Sequence, residues 1–158
     1  MSAADRPAEI LLVEDNPGDV ELIHEALQFR KVLNRISVVT DGEAALAFLN
    51  RTGGFENAPR PDLILLDLNI PKKDGFDVLK EVKGHRYLSN VPVVILTSSQ
   101  ADRDILKSYN LRANCFISKP LDVDEFLATV SSAGEFWLSI VRLPPGDRPS
   151  QQNPVPAP

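Results

Sequence analysis

The feature that most limits what this chain can fold into is a recurrence: short apolar runs alternate along it with longer segments whose apolar residues fall at helical spacing. That alternation predicts an α/β domain, a parallel sheet with crossover helices. The runs are Ile10 to Val13, Ile36 to Val39, Leu63 to Leu66, Val93 to Leu96 and Cys115 to Ile117, and several are unbroken apolar strings, as strands buried on both faces should be. Helices must then cover both faces. Val20, Ile23 and Leu27 serve in the first, Ala44, Ala45 and Phe48 in the second, and Leu79 and Val82 in the third; Ile105 with Tyr109, and Phe126, Val130 and Trp137, serve in the fourth and fifth. Asn16-Pro17 and Asp41 mark the starts of the first two helices, where a side-chain oxygen can cap free backbone amides.

A chain of 158 residues, 43% hydrophobic and 25% charged, fits one soluble globular domain. Its formal net charge of -5 speaks against a nucleic-acid partner, since phosphate backbones attract clustered Lys and Arg. Cys115 is the only cysteine, and no Cys or His pair has zinc-ligand spacing, so a reducing cytoplasm is the expected setting. No apolar h-region follows the charged stretch Met1 to Glu9, and no apolar run approaches the roughly 18 residues of a membrane span. Neither secretion nor membrane insertion is expected. Residues 1–8 are read as an N-terminal extension, 9–143 as the domain with an extended last helix, and 144–158, rich in Pro, Gln and Ser, as a disordered tail. The Gly- and Pro-containing segment from Arg51 to Pro61 is expected to be a surface excursion without functional signal.

In an open parallel sheet, ligands bind beyond the carboxyl ends of the strands, near the switch in strand order. The first run ends in Glu14-Asp15, the third in Asp67, the fourth in Thr97-Ser98 and the fifth in Ser118-Lys119-Pro120, whereas Thr40-Asp41 after the second is read as a cap. Each of these alone has a bland explanation: acids favour a helix N-terminus, a threonine caps, a lysine before proline enters a turn. Their joint placement after four separate strands outweighs these explanations. Two unit charges about 4 Å apart repel by roughly 4 kcal/mol at an effective dielectric near 20, so converging carboxylates call for a cation. An all-oxygen site suits Mg²⁺ or Mn²⁺, and Lys119 supplies a second, fixed positive charge. A metal, a lysine, a hydroxyl and a free aspartate are the parts needed for phosphoryl transfer to a carboxylate. His24 and His85 are expected to face solvent, and Cys115 to be a small buried apolar residue.

Glu14-Asp15, the run Asp62 to Asp67, Pro71 to Gly75, Thr97-Ser98 and Lys119-Pro120 together resemble bacterial response-regulator receiver domains of the chemotaxis-regulator type, over roughly Glu9 to Ile140. The resemblance implies a flavodoxin-like (βα)5 doubly wound parallel sheet with strand order 2-1-3-4-5. It implies that Asp67 is the phosphoacceptor, that Asp15 and Asp67 bind Mg²⁺ with the backbone carbonyl of Asn69, and that Glu14 acts through a water. Thr97 and Lys119 would contact the phosphoryl group, Phe116 would be the aromatic switch, and the Lys119-Pro120 peptide would be cis. The segment from Phe136 to Pro144 resembles the ending of small phytochrome-associated response regulators, which implies a homodimer contact through Phe136, Trp137 and Ile140. The implied donor is a sensor histidine kinase, with a bacterial phytochrome as a candidate, and the implied output is a switched protein or dimer surface.

Two other functions remain open at this point. Phosphohydrolases of the haloacid dehalogenase type also use Mg²⁺ and an aspartate nucleophile, but they place a second aspartate two residues later, where this chain has Asn69, which cannot give and take a proton. Only slow self-dephosphorylation is therefore expected. The third alternative is a binding module that keeps the fold without phosphorylation.

Overall fold

A computed structural model describes residues 7–28, 34–97, 101 and 115–132, with no side-chain description at 115 and 129–132. The described elements run β1 (Ala8–Val13), α1 (Pro17–Gln28), β2 (Asn34–Val39), α2 (Gly42–Asn50), β3 (Leu63–Asp67), α3 (Gly75–Gly84), β4 (Val93–Thr97), β5 (Cys115–Ser118) and α4 (Val123–Ser132). Here α4 is the helix expected as the fifth. The expected fourth helix, with Ile105 and Tyr109, lies outside the described residues, as do Trp137 and the chain beyond it.

The strands form one parallel sheet in the order β2-β1-β3-β4-β5, as expected. Side chains alternate across it. Leu11 and Val13, Ile64 and Leu66, and Val93 and Ile95 turn to the face covered by Ala45, Phe48 and Leu49 of α2 and Val78, Leu79 and Val82 of α3. Ile10 and Leu12, Leu63 and Leu65, Val94 and Leu96, and Ile117 turn to the opposite face, against Ile23, Ala26 and Leu27 of α1 and Phe126 of α4. Burial on both faces explains why β3 and β4 carry no polar residue before their last.

The ladders run further than the apolar runs. Pairing begins at Ala8 against Asn34, ahead of the expected starts at Ile10 and Ile36, and Ala8 is itself buried. At the other end Asp67 pairs with Leu96 and Thr97 with Ser118, so these polar residues are the last of their strands rather than the first beyond them. A ladder is set by backbone hydrogen bonds and continues past the last apolar side chain.

Helix starts follow the expected chemistry. The Asn16 side-chain oxygen accepts from the Asp19 amide at 3.1 Å. Asp41 accepts from Ala44 at 2.7 Å and Asp74 from Asp77 at 3.0 Å, so both cap the helices that follow. The segment from Arg51 to Pro61 is exposed along much of its length but anchored: Phe55 packs on Phe48 with centroids 5.5 Å apart, and Arg60 lies 5.1 Å from the Tyr87 ring centroid. His24 is exposed on α1. His85 departs from its expected solvent-facing role, because it is half-buried at the end of α3 and its Nδ1 accepts from the Tyr87 amide at 3.1 Å.

Candidate functional site

The strand order places β1 and β3 side by side with β2 on one flank and β4 on the other, so the direction of winding switches between them. A crevice opens at such a switch, beyond the strand ends. Because Val13 pairs with Leu66, the next residues, Glu14 and Asp67, stand level at its floor. Asp67 in turn pairs with Leu96, and Leu96 with Ile117, which brings Thr97, Ser118 and Lys119 to the same edge. Glu14 and Thr97 are buried, Asp67 is 3% exposed, and Asp15 is exposed at the mouth.

One oxygen from each of Glu14, Asp15 and Asp67 falls within 4.8 Å of the others. The Lys119 ammonium reaches across: Nζ is 2.7 Å from Glu14 Oε1, 3.0 Å from Asp19 Oδ2 and 3.1 Å from Asp67 Oδ2. The other Asp67 oxygen accepts from the Asn69 amide at 3.0 Å, which fixes the plane of the carboxylate, while Asn69 itself is exposed. The segment after Asp67 folds back tightly. Gly75 N–H donates to the Leu68 carbonyl at 3.1 Å, and a Cβ on Gly75 would lie 2.5 Å from Leu68 Cα and 2.8 Å from the Asp67 carbonyl oxygen. Only glycine permits that approach. The Lys119–Pro120 peptide is cis, and the Lys119 amide donates to the Thr97 carbonyl at 3.0 Å.

Charge in the crevice is only partly balanced. Burial pushes the Glu14 carboxyl up to about 7 from its ordinary 4.5; the Lys119 ammonium pulls it down, and the Asp67 carboxylate adds to the rise. For Lys119, burial alone would lower the pKa, but its bonds to Glu14, Asp19 and Asp67 outweigh this and hold it above its usual range. The lysine is therefore a fixed cation. Glu14 Oε1 is fully enclosed, with the Lys119 ammonium 2.7 Å away. An under-compensated, all-oxygen set, buried at Glu14 and Asp67 and open at Asp15, fits a hard divalent cation. Glu14, Asp15 and Asp67 are the residues placed to hold one.

Glu14, Asp15, Asp67 and Lys119 meet there, Thr97 ends the adjoining strand β4, and Phe116 of β5 is half-buried against the α2–α3 core. Asp19 was missed. In the sequence it is an ordinary first-turn acid of a helix, and only the fold brings Lys119 to it. Phe136, Trp137 and Ile140 lie outside the described residues.

Comparison with known proteins agrees with this geometry. A family model described as the response regulator receiver domain matches residues 10–131. The chain is 44% identical over 138 residues to response regulator Rcp1 of Synechocystis sp., a match covering 87% of this chain and 94% of that protein. The crystal structure of the Mn²⁺-bound form of Rcp1 superposes with a TM-score of 0.73 at 44% identity, covering 87% of this chain and 99% of that one. The crystal structure of the phosphorylated cyanobacterial phytochrome response regulator RcpA superposes with a TM-score of 0.74 at 46% identity, covering 88% and 99%. Fold, crevice and sequence likeness agree: this chain belongs to the response regulator receiver domain family.

Proposed function

We propose that the chain is a phosphorelay switch in which Asp67 accepts a phosphoryl group from a phosphohistidine of a sensor kinase. The observation that carries this is the Asp67 carboxylate held at the sheet's switch point, 3.1 Å from the Lys119 ammonium and grouped with Glu14 and Asp15. A carboxylate oxygen of Asp67 bonds to phosphorus as the P–N bond of the donor breaks, and the freed imidazole takes up a proton. Mg²⁺, with Mn²⁺ as a substitute, would neutralise charge on the phosphoryl oxygens when held by Asp15, Asp67 and the Asn69 carbonyl, with Glu14 bound through water. Lys119 turns its protons from carboxylate to phosphoryl oxygens, a charge-assisted exchange.

Alternation along the strands puts Thr97 on the same sheet face as Phe116, one pleat from Phe116's partner Ile95. Movement of the Thr97 hydroxyl toward the phosphoryl group frees space into which Phe116 turns, and the surface beside β5 changes shape. Reversing a 1:99 population takes about 5.5 kcal/mol, within reach of several charge-assisted bonds. Signalling rather than turnover is the output: Asn69 stands where an aspartyl phosphohydrolase needs a proton-transferring acid, so hydrolysis of the acyl phosphate is slow. A phytochrome-linked kinase is the partner we assign from the likeness to Rcp1 and RcpA. The dimer contact is assigned to Phe136, Trp137 and Ile140.

A phosphotransfer profile against the histidine kinases of the source genome tests the partner. Rapid, Mg²⁺-dependent transfer from a phytochrome kinase is expected, and a preference for a kinase without a light-sensing module would overturn that assignment. Sedimentation of wild type and Trp137→Ala tests the dimer: equal masses would reject the contact.

A further inference from the structure

The function proposed above requires Lys119 to turn toward a phosphoryl group, and this inference rests on it. In the unphosphorylated chain three carboxylates surround an ammonium that has three protons to give: Glu14 at 2.7 Å, Asp19 at 3.0 Å and Asp67 at 3.1 Å. A phosphoryl group on Asp67 adds three acceptor oxygens, so at least one existing contact must be given up.

The three partners differ in what release costs. The Glu14 side chain is fully enclosed, and losing the ammonium would leave a buried carboxylate without its cation. Asp67 carries the phosphoryl group itself, so Lys119 stays beside it. The Asp19 side chain is 22% exposed, on the first turn of α1, and water can take over from the ammonium there. We propose that Asp19 is a positioning residue, a latch that holds Lys119 across the mouth of the crevice in the resting chain and releases it when Asp67 is phosphorylated. Its contact exists only before the reaction, so it stabilises the resting state and slows phosphorylation.

Autophosphorylation tests this, since the Asp67 carboxylate displaces acetate from acetyl phosphate as the P–O bond breaks. Wild type, Asp19→Asn and Asp19→Glu are compared with Mg²⁺ present; Glu21→Gln, exposed on the same helix, is the control for loss of one charge. Asp19→Asn should phosphorylate about three- to fivefold faster, the ratio for loss of a partly exposed ion pair. The same ratio should hold with the less charged donor phosphoramidate. Asp19→Glu should return toward wild type, and Glu21→Gln should match it. Asp19→Ser repeats the test should Asp19→Asn lower the melting temperature. An unchanged or slower rate in both Asp19→Asn and Asp19→Ser overturns the latch. So does a gain that shrinks with donor charge, because it would show Asp19 repelling anions at a distance rather than holding Lys119. Labelling of Asp67→Asn equal to wild type would instead sink the phosphoacceptor reading itself. An unlabelled Asp67→Asn beside an unaltered Asp19→Asn sinks only the latch.

Discussion

Glu14 is where the resting crevice is least comfortable. Its pKa of about 7, against an ordinary 4.5, means that the folded chain holds this proton more tightly than the unfolded chain. Below the ordinary value both states are protonated and the site has no effect on stability. As pH rises from about 4.5 through about 7, the unfolded chain ionises this group while the folded chain keeps its proton, so the metal-free chain loses stability across that window. Glu14→Gln removes the loss. Thermal unfolding in chelator should show the variant gaining on wild type between about pH 5 and about pH 8, and parallel pH profiles would contradict the cause given for the shift. Lys119 acts at the same scale in the opposite sense. Its removal takes away the fixed cation facing the transferred group, and phosphorylation of Lys119→Ala by acetyl phosphate should slow roughly a hundredfold. A rate within a factor of about two of wild type would remove the lysine from the reaction.

At the scale of elements, the site depends on two close backbone approaches. The turn from Asp67 to α3 folds so tightly that a methyl group on Gly75 would meet Leu68 and the Asp67 carbonyl, and one on Gly42 would lie 1.7 Å from the Lys73 carbonyl oxygen. Gly75→Ala should therefore cost about 1–3 kcal/mol in denaturant unfolding and displace the acceptor loop. Full stability would show that the turn can relax at no cost. The strands respond differently. Leu65 is fully buried on the face toward α1 and α4, and Leu65→Ala should cost about 2–5 kcal/mol, read as a lower unfolding midpoint with unchanged slope. The strands were legible in the sequence because burial on both faces leaves unbroken apolar strings such as Leu63 to Leu66. Their ends were less so: Asp67 and Thr97 look like loop residues, yet backbone pairing carries the ladder through them. The anchoring of Phe55 on Phe48 and of Arg60 on Tyr87 left no periodic signal, since contacts made by a loop follow no repeat.

Across the whole molecule, the sheet brings residues from the beginning, middle and end of the described chain to one edge, and stability should follow the occupancy of that edge. A divalent cation that binds only the folded chain raises its stability by RT ln(1 + [L]/Kd), about 2.7 kcal/mol at a hundredfold excess over Kd. Mg²⁺ should raise the melting temperature of wild type and much less that of Asp15→Asn. Equal shifts would place the ion elsewhere. That convergence was readable from polar residues following four apolar runs, because strand order and direction fix which ends meet. The Asp19–Lys119 pair was not readable, because a helix-start acid has its own local explanation and its partner is remote in sequence. The most direct measurement is chemical. After acetyl phosphate and Mg²⁺, borohydride reduction converts an aspartyl phosphate to homoserine, and peptide mass mapping locates it. Homoserine at position 67 is predicted; homoserine at another acid, or a chain that takes up no phosphoryl group, would contradict the claim that the crevice readies Asp67 to receive phosphorus.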